Sequence, residues 1–201
     1  PPNPLLQGGG IESSLLNVVN DTNMPTLTEL PPLSLYIHFP WCVRKCPYCD
    51  FNSHAVKDGI PEREYIKALL LDAENHLPDI WGRSINSIFM GGGTPSLFSP
   101  EAMDELMIGL RSRLNLKPNI EVTMEANPGT VEHGKFAEFH SIGINRLSIG
   151  IQSFNDDHLQ KLGRIHNRKE AIRAVEFTHD AGFDNFNLDL MFGLPDQNIE
   201  Q

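Results

Sequence analysis

Five short apolar runs, 35–39, 85–90, 120–125, 146–151 and 186–191, alternate with longer stretches whose apolar residues recur at helical spacing. Strands and helices in such alternation bury their apolar faces as repeated βα units around a parallel sheet. The first helix is expected over about 62–77, opened by Pro61, with Tyr65, Ile66, Leu69, Leu70, Ala73 and Leu77 on one stripe. In the second, Ser99 is the cap and Pro100 the first helical residue, and Met103, Leu106, Met107 and Leu110 form the inward face. A third is expected to begin at Thr130 and stop at Gly143. After a short helical turn through Leu159 and Leu162, Asn167 caps a fourth that runs to about Ala181 and stops at Gly182. The run 120–125 sets Ile120, Val122 and Met124 against Glu121, Thr123 and Glu125, then breaks at Asn127-Pro128-Gly129. Five such strands without a sixth predict the α/β class, as a partial (β/α) barrel truncated after about the fifth strand. A barrel cut there leaves a sheet edge and apolar helix faces uncovered.

Residues 1–31 are rich in Pro, Asn, Thr and Gly and hold no sustained period, so they are expected to form a disordered or upstream extension to a core domain at 32–201. Met24 is the expected natural start. Gly8-Gly9-Gly10 follows no apolar strand and is read as linker.

The three cysteines of the chain, Cys42, Cys46 and Cys49, follow the first strand within eight residues in a C-x-x-x-C-x-x-C pattern. This spacing folds three thiolates around one metal-sulfur corner and supplies no fourth, so a four-iron cluster held here keeps one iron open to a small ligand. A zinc site completed by His38 or His54 is the competing reading, weakened by the lack of a second ligand pair. An odd cysteine count argues against a disulfide framework.

Other chemistry-bearing residues fall at the carboxyl ends of the expected strands, where parallel βα folds gather their ligands. The triple glycine Gly91-Gly92-Gly93 follows the second strand, Glu125 ends the third, Gln152 follows the fourth, and Asp189 lies near the end of the fifth. Glycines allow a ligand close to backbone polar groups, carboxylates accept hydrogen bonds or balance a cation, and Arg164 offers a planar fork of donors.

Taken together, Tyr36-Ile37-His38-Phe39-Pro40-Trp41-Cys42, Cys46-Pro47-Tyr48-Cys49, Gly91-Gly92-Gly93-Thr94-Pro95, Glu125-Ala126-Asn127-Pro128, Gly150-Ile151-Gln152-Ser153-Phe154 and Gly163-Arg164 resemble the radical S-adenosylmethionine (radical SAM) superfamily. The match is to the branch that holds oxygen-independent coproporphyrinogen III oxidase and the heme chaperone family HemW. The resemblance implies a [4Fe-4S] cluster on Cys42, Cys46 and Cys49, with S-adenosylmethionine chelating the free iron. It also implies that Tyr36, Tyr48, Gly92, Gly93, Thr94, Glu125, Gln152, Arg164 and Asp189 line the S-adenosylmethionine pocket.

One position separates the two relatives. The oxidase family carries a further cysteine two residues after its third cluster cysteine, and here that position is Phe51. The resemblance therefore implies a heme chaperone that binds heme as cargo and delivers it to heme-accepting apo-proteins, with coproporphyrinogen III oxidation in porphyrin biosynthesis as the alternative. By type alone His38, His54, His76, His133, His140, His158, His166 and His179 are candidate heme ligands, and His38 is expected to orient the cysteine loop instead.

Lys and Arg total 16 against 26 Asp and Glu, and the net charge of -10 disfavours nucleic acid as a partner. No apolar run approaches the roughly 20 residues that span a bilayer. No Lys or Arg precedes Arg44, so the charged opening of a secretory signal is missing. A cytoplasmic location is expected, with peripheral membrane contact left open.

Overall fold

The computed structural model of the protein describes residues 29–130 and 134–200. The expectations of a disordered extension, a start at Met24 and a linker at Gly8-Gly9-Gly10 lie almost wholly outside the described residues. By internal contacts the chain divides into Pro1–Pro31 and Pro32–Gln201, and the second unit carries the fold.

Five long strands, β1 (Leu33–Phe39), β4 (Ile85–Gly92), β5 (Leu116–Ala126), β6 (Arg146–Gln152) and β7 (Phe186–Leu190), form one sheet in the order β1-β4-β5-β6-β7. Every neighbouring pair is parallel, as successive staves of a (β/α) barrel are. Two further strands of two residues each, β2 (Trp41–Cys42) and β3 (His54–Ala55), pair with one another across the neck of the cysteine loop. This pairing was not expected, because two-residue segments show no period.

The helices are α1 (Glu62–Asn75), α2 (Pro100–Arg113), α3 (Lys135–Ser141), α4 (Asp156–Lys161) and α5 (Arg168–Asp180). The apolar face of the sheet, with Ile37, Phe39, Ile88, Met90, Val122, Met124, Leu147 and Ile149, is buried in one cluster with Ile66 of α1, Met103, Leu106 and Met107 of α2 and Phe136 and Phe139 of α3. The opposite face is mostly polar, apart from the stacked rings of Tyr36 and Phe89. Ser34, Ser87, Glu121, Arg146 and Asn187 project there, and Thr123 on the same side is as enclosed as the apolar core. That side is the concave surface on which a barrel would close.

Local chemistry explains the boundaries. Ser99 caps α2 by accepting a hydrogen bond from Ala102 N, Pro100 takes the first helical position, and Arg111 and Arg113 sit in the last turn, where the helix dipole favours cations. Asn167 and Glu170 form a capping box at the start of α5. The helix expected to begin at Thr130 begins instead at Lys135; Pro128–Thr130 is a 3-10 turn whose Thr130 N–H and hydroxyl both bond Asn127 O. The expected end of the first helix at 77 is a break at His76, after which Pro78 favours a 3-10 turn over Leu77–Ile80.

Ser99 also ties two helices together, because Glu62 at the start of α1 accepts from both the Ser99 amide, at 2.9 Å, and the Ser99 hydroxyl. Ser99→Ala removes the cap and leaves a part-buried carboxylate one donor short. Chemical denaturation of full-length protein is expected to show a loss of about 1–2 kcal/mol; a change within experimental error would remove this role.

Candidate cofactor site

A cleft of about 310 Å³ opens at the carboxyl ends of the long strands. Its wall holds Cys42, Cys46, Tyr48, Cys49, Gly92, Gly93, Thr94, Glu125, Gln152, Arg164 and Asp189, so the structure gathers all but one of the residues expected there. The exception is Tyr36, which does not line the cleft. Its ring stacks beside Phe89 at 6.2 Å and its hydroxyl meets His38 Nδ1 at 3.0 Å. Arg44, Lys45, Ser53, Asn127 and Ser148 also line the cleft and were not singled out from sequence. Ser148 could have been found, since it precedes Gly150 and Gln152 at strand spacing on the same face.

The cysteine loop is fixed at both ends by backbone bonds. His54 N donates to Pro40 O at 2.7 Å and Val56 N to Cys42 O at 2.8 Å, closing the neck. Gly93 N donates to Phe39 O at 2.6 Å and Thr94 N to Trp41 O at 2.7 Å, docking the end of β4 onto the loop's first residues. The triple glycine is required by this packing as well as by the cleft. A Cβ on Gly93 would stand 2.5 Å from Trp41 O, and one on Gly92, whose φ is 109°, would stand 2.4 Å from the His38 ring. His38 orients the loop as expected, through Nε2 and Asn52 O at 2.8 Å.

A second support comes from the turn after α4. Arg44 Nε donates to Gly163 O at 3.1 Å, and Arg164 donates through Nη2 to Gly150 O at 2.6 Å and through Nη1 to Cys46 Sγ at 3.7 Å. Buried His166 donates through Nε2 to Ile151 O at 3.1 Å while its Nδ1 finds no partner. Gln152 holds a left-handed backbone, φ 65°, where β6 meets the cleft.

Burial sets the electrostatics. It raises the Glu125 carboxyl above its ordinary value, with the Asp189 charge adding to the rise and the Gly92 N–H, donating to Oε2 at 3.0 Å, opposing it. Burial also raises the Tyr48 hydroxyl, against the pull of Arg164. The Tyr36 hydroxyl is raised by burial and by the charge of Glu125.

The residues present fit a cluster with a bound nucleotide. All three cysteines are free and half-buried in the same wall, and two polar atoms there, Ser53 Oγ and Arg164 Nε, are buried with no partner in the protein. Among the described residues no three His, Cys, Asp or Glu side chains converge closely enough to share a single ion. A cluster asks for a wider separation than one ion does, since each thiolate binds a different iron. Of the histidines proposed by type, His158 and His166 are buried, and His133 lies outside the described residues.

The family model of the Radical SAM superfamily matches residues 36–201. The chain belongs to the radical SAM superfamily. Among its curated relatives, the Heme chaperone HemW of Escherichia coli is 54% identical over 175 residues, covering 87% of this chain and 46% of the relative. The Heme chaperone HemW of Haemophilus influenzae is 56% identical over 179 residues, covering 87% and 47%. This member of the superfamily thus spans about half the length of the curated relatives it matches. Among solved structures, the coproporphyrinogen III oxidase HemN of Escherichia coli superposes with a TM-score of 0.77 at 30% identity, over 84% of this chain and 39% of the oxidase. The superfamily fold over five strands is therefore shared, and among the described residues no helix is long and apolar enough to cross a membrane.

His166 gives the support a pH signature. Burial first, then the nearby Arg164 charge, lower its pKa from 6.5 to about 4. A base depressed on folding contributes stability that is present above its unfolded value and lost as the pH falls through the folded one. Full-length protein is therefore expected to lose stability relative to His166→Gln as the pH falls from 6.5 towards 4. Parallel pH profiles of the two melting temperatures would refute the assignment.

Proposed function

We propose that this chain is the cluster-bearing part of a heme chaperone, which binds heme and delivers it to heme-accepting apo-proteins. Cys42, Cys46 and Cys49 would hold a [4Fe-4S] cluster. Tyr48, Gly92, Gly93, Thr94, Glu125, Gln152, Arg164 and Asp189 would hold S-adenosylmethionine against it, with Tyr36 acting from outside the cleft through His38. A cluster bound there supplies one iron free of protein ligands and, when reduced, an electron.

The chain's own residues then have definable tasks. Arg164 keeps a donor on the Cys46 sulfur and a positive charge beside the cleft, suited to a carboxylate. Gly92 and Gly93 bring backbone polar groups to the wall, while Glu125 and Asp189 present acceptors for ammonium or hydroxyl groups. Tyr48 and Phe51 form part of the wall beside the cysteines and give it aromatic surface.

Phe51 is the observation that carries the chaperone reading over the oxidase one. It lines the cleft at the position where the oxidase family has its further cysteine, and a phenyl ring can neither ligate metal nor carry a proton. The relatives at 54% and 56% identity, both named heme chaperones, support the same choice. The alternative, oxidative decarboxylation of coproporphyrinogen III, draws support from the superposition on HemN. The acidic balance favours neither nucleic acid nor an anionic membrane as partner, and a cytoplasmic location is part of the proposal.

The test uses full-length protein reconstituted anaerobically with iron and sulfide. Heme titration is expected to give a saturable Soret shift, and the heme is expected to pass to a heme-free acceptor. With reductant, S-adenosylmethionine and coproporphyrinogen III, no decarboxylated porphyrinogen should form; its appearance would replace this reading with the oxidase one. Changing Cys42, Cys46 and Cys49 to alanine together is expected to abolish cluster absorbance, and iron content equal to wild type would refute the cluster assignment.

A further inference from the structure

On the concave face beneath the cleft, four side chains outside the expected site form one hydrogen-bonded line that ends on Asp189. Glu121 Oε1 accepts from Arg146 Nη1 at 3.1 Å, and Arg146 Nη2 donates to Asn187 Oδ1 at 3.4 Å. Asn187 Nδ2 donates to Ser148 Oγ at 3.0 Å and to Asp189 Oδ1 at 2.7 Å. Ser148 Oγ then donates to Asp189 Oδ2 at 3.0 Å.

The direction of every hydrogen in this line follows from chemistry. Arginine is a donor only, so the Asn187 atom facing it is the carbonyl oxygen, which turns the amide nitrogen towards Ser148 and Asp189. That nitrogen has two hydrogens for two acceptors. Having accepted one of them, the Ser148 hydroxyl has its own hydrogen for Asp189. Both carboxylate oxygens are thus held from the same side by groups that can only donate to them. Strand register makes this arrangement available, because Ser148 pairs with Asn187, and Gly150, which pairs with Asp189, adds no side chain beside the carboxylate.

We propose that Ser148 and Asn187 are positioning residues that fix the Asp189 carboxylate so that its remaining acceptor positions face the cleft, towards the donor groups of a bound nucleotide. Arg146, anchored by Glu121, sets the orientation of the Asn187 amide. The inference rests on the cofactor-site reading above and adds to it the residues that orient one of its acceptors.

The experiment is calorimetric titration of S-adenosylmethionine into full-length, cluster-reconstituted protein. Ser148→Ala and Asn187→Ala are each expected to weaken binding about tenfold, the effect of losing a hydrogen bond to a charged group. The reduced cluster's EPR signal without nucleotide, the iron content and the melting temperature are expected to stay as in wild type. Asn187→Asp is isosteric and leaves no cavity, yet it replaces the donor with a second carboxylate, so its loss should exceed that of Asn187→Ala. Ser148→Thr keeps the hydroxyl and should bind within about twofold of wild type. Affinity that falls only together with iron content and melting temperature would assign these residues a structural role and overturn the inference. So would wild-type affinity in Ser148→Ala and Asn187→Asp while Asp189→Ala binds weakly. Wild-type affinity in Asp189→Ala would instead refute the cofactor-site reading on which the inference stands.

Discussion

The arrangement depends on how closely the end of β4 approaches the start of the cysteine loop. Two backbone bonds, from the Gly93 and Thr94 amides to the Phe39 and Trp41 carbonyls, hold the two segments together, and no side chain fits between them. Once they are joined, the three thiols stand over the cleft, the amide of Gly92 meets Glu125, and the neck of the loop closes through β2 and β3. Beneath the loop, Trp41, Tyr65, Phe98 and Phe39 pack edge to face, and Tyr65 donates to His38 O at 2.6 Å. The loop that carries the three thiols is thereby supported by backbone and aromatic contacts of the protein itself.

The two faces of the sheet divide the labour between stability and chemistry. The convex face carries the methionine, leucine and phenylalanine cluster under the helices, and the concave face carries hydroxyls, amides and charges beside the Tyr36–Phe89 stack. Because side chains alternate along a strand, a one-residue slip in β5 or β6 would exchange these roles and bury Glu125 or Ser148 in the helix layer. The cost of burying such groups unpaired keeps the register single-valued.

What the sequence made legible was whatever announces itself locally. Apolar runs placed the five strands, Ser99 and Asn167 marked two helix starts, and Gly143 and Gly182, both at positive φ, marked two ends. Features whose cause lies in partners distant along the chain were hidden. The β2–β3 pair is too short to carry a pattern, and β5 extends back to Leu116 through Lys117, Pro118 and the left-handed Asn119, a stretch with no strand signal of its own. Thr130 has the residue type of a helix cap, yet its bonds to Asn127 close a turn instead. Within the site, motif positions located the cysteines, Tyr48, the glycines, Thr94, Glu125, Gln152, Arg164 and Asp189, but not Asn127 just past the end of β5 or the loop residues Arg44, Lys45 and Ser53. Tyr36 parts from that set because its ring leans on Phe89 and its hydroxyl on His38, two contacts that a motif does not encode.

The backbone of Gln152 has a bearing on how this rim came to be built. A β-carbon in the left-handed region costs roughly 1–2 kcal/mol, which a glycine at the same point would avoid. Its carbonyl still accepts from Met191 N at 2.9 Å, so the conformation is pinned by the neighbouring strand. The chain holds this sparsely populated conformation at a residue whose side chain lines the cleft, so the backbone strain sits at the rim and not in the helix layer.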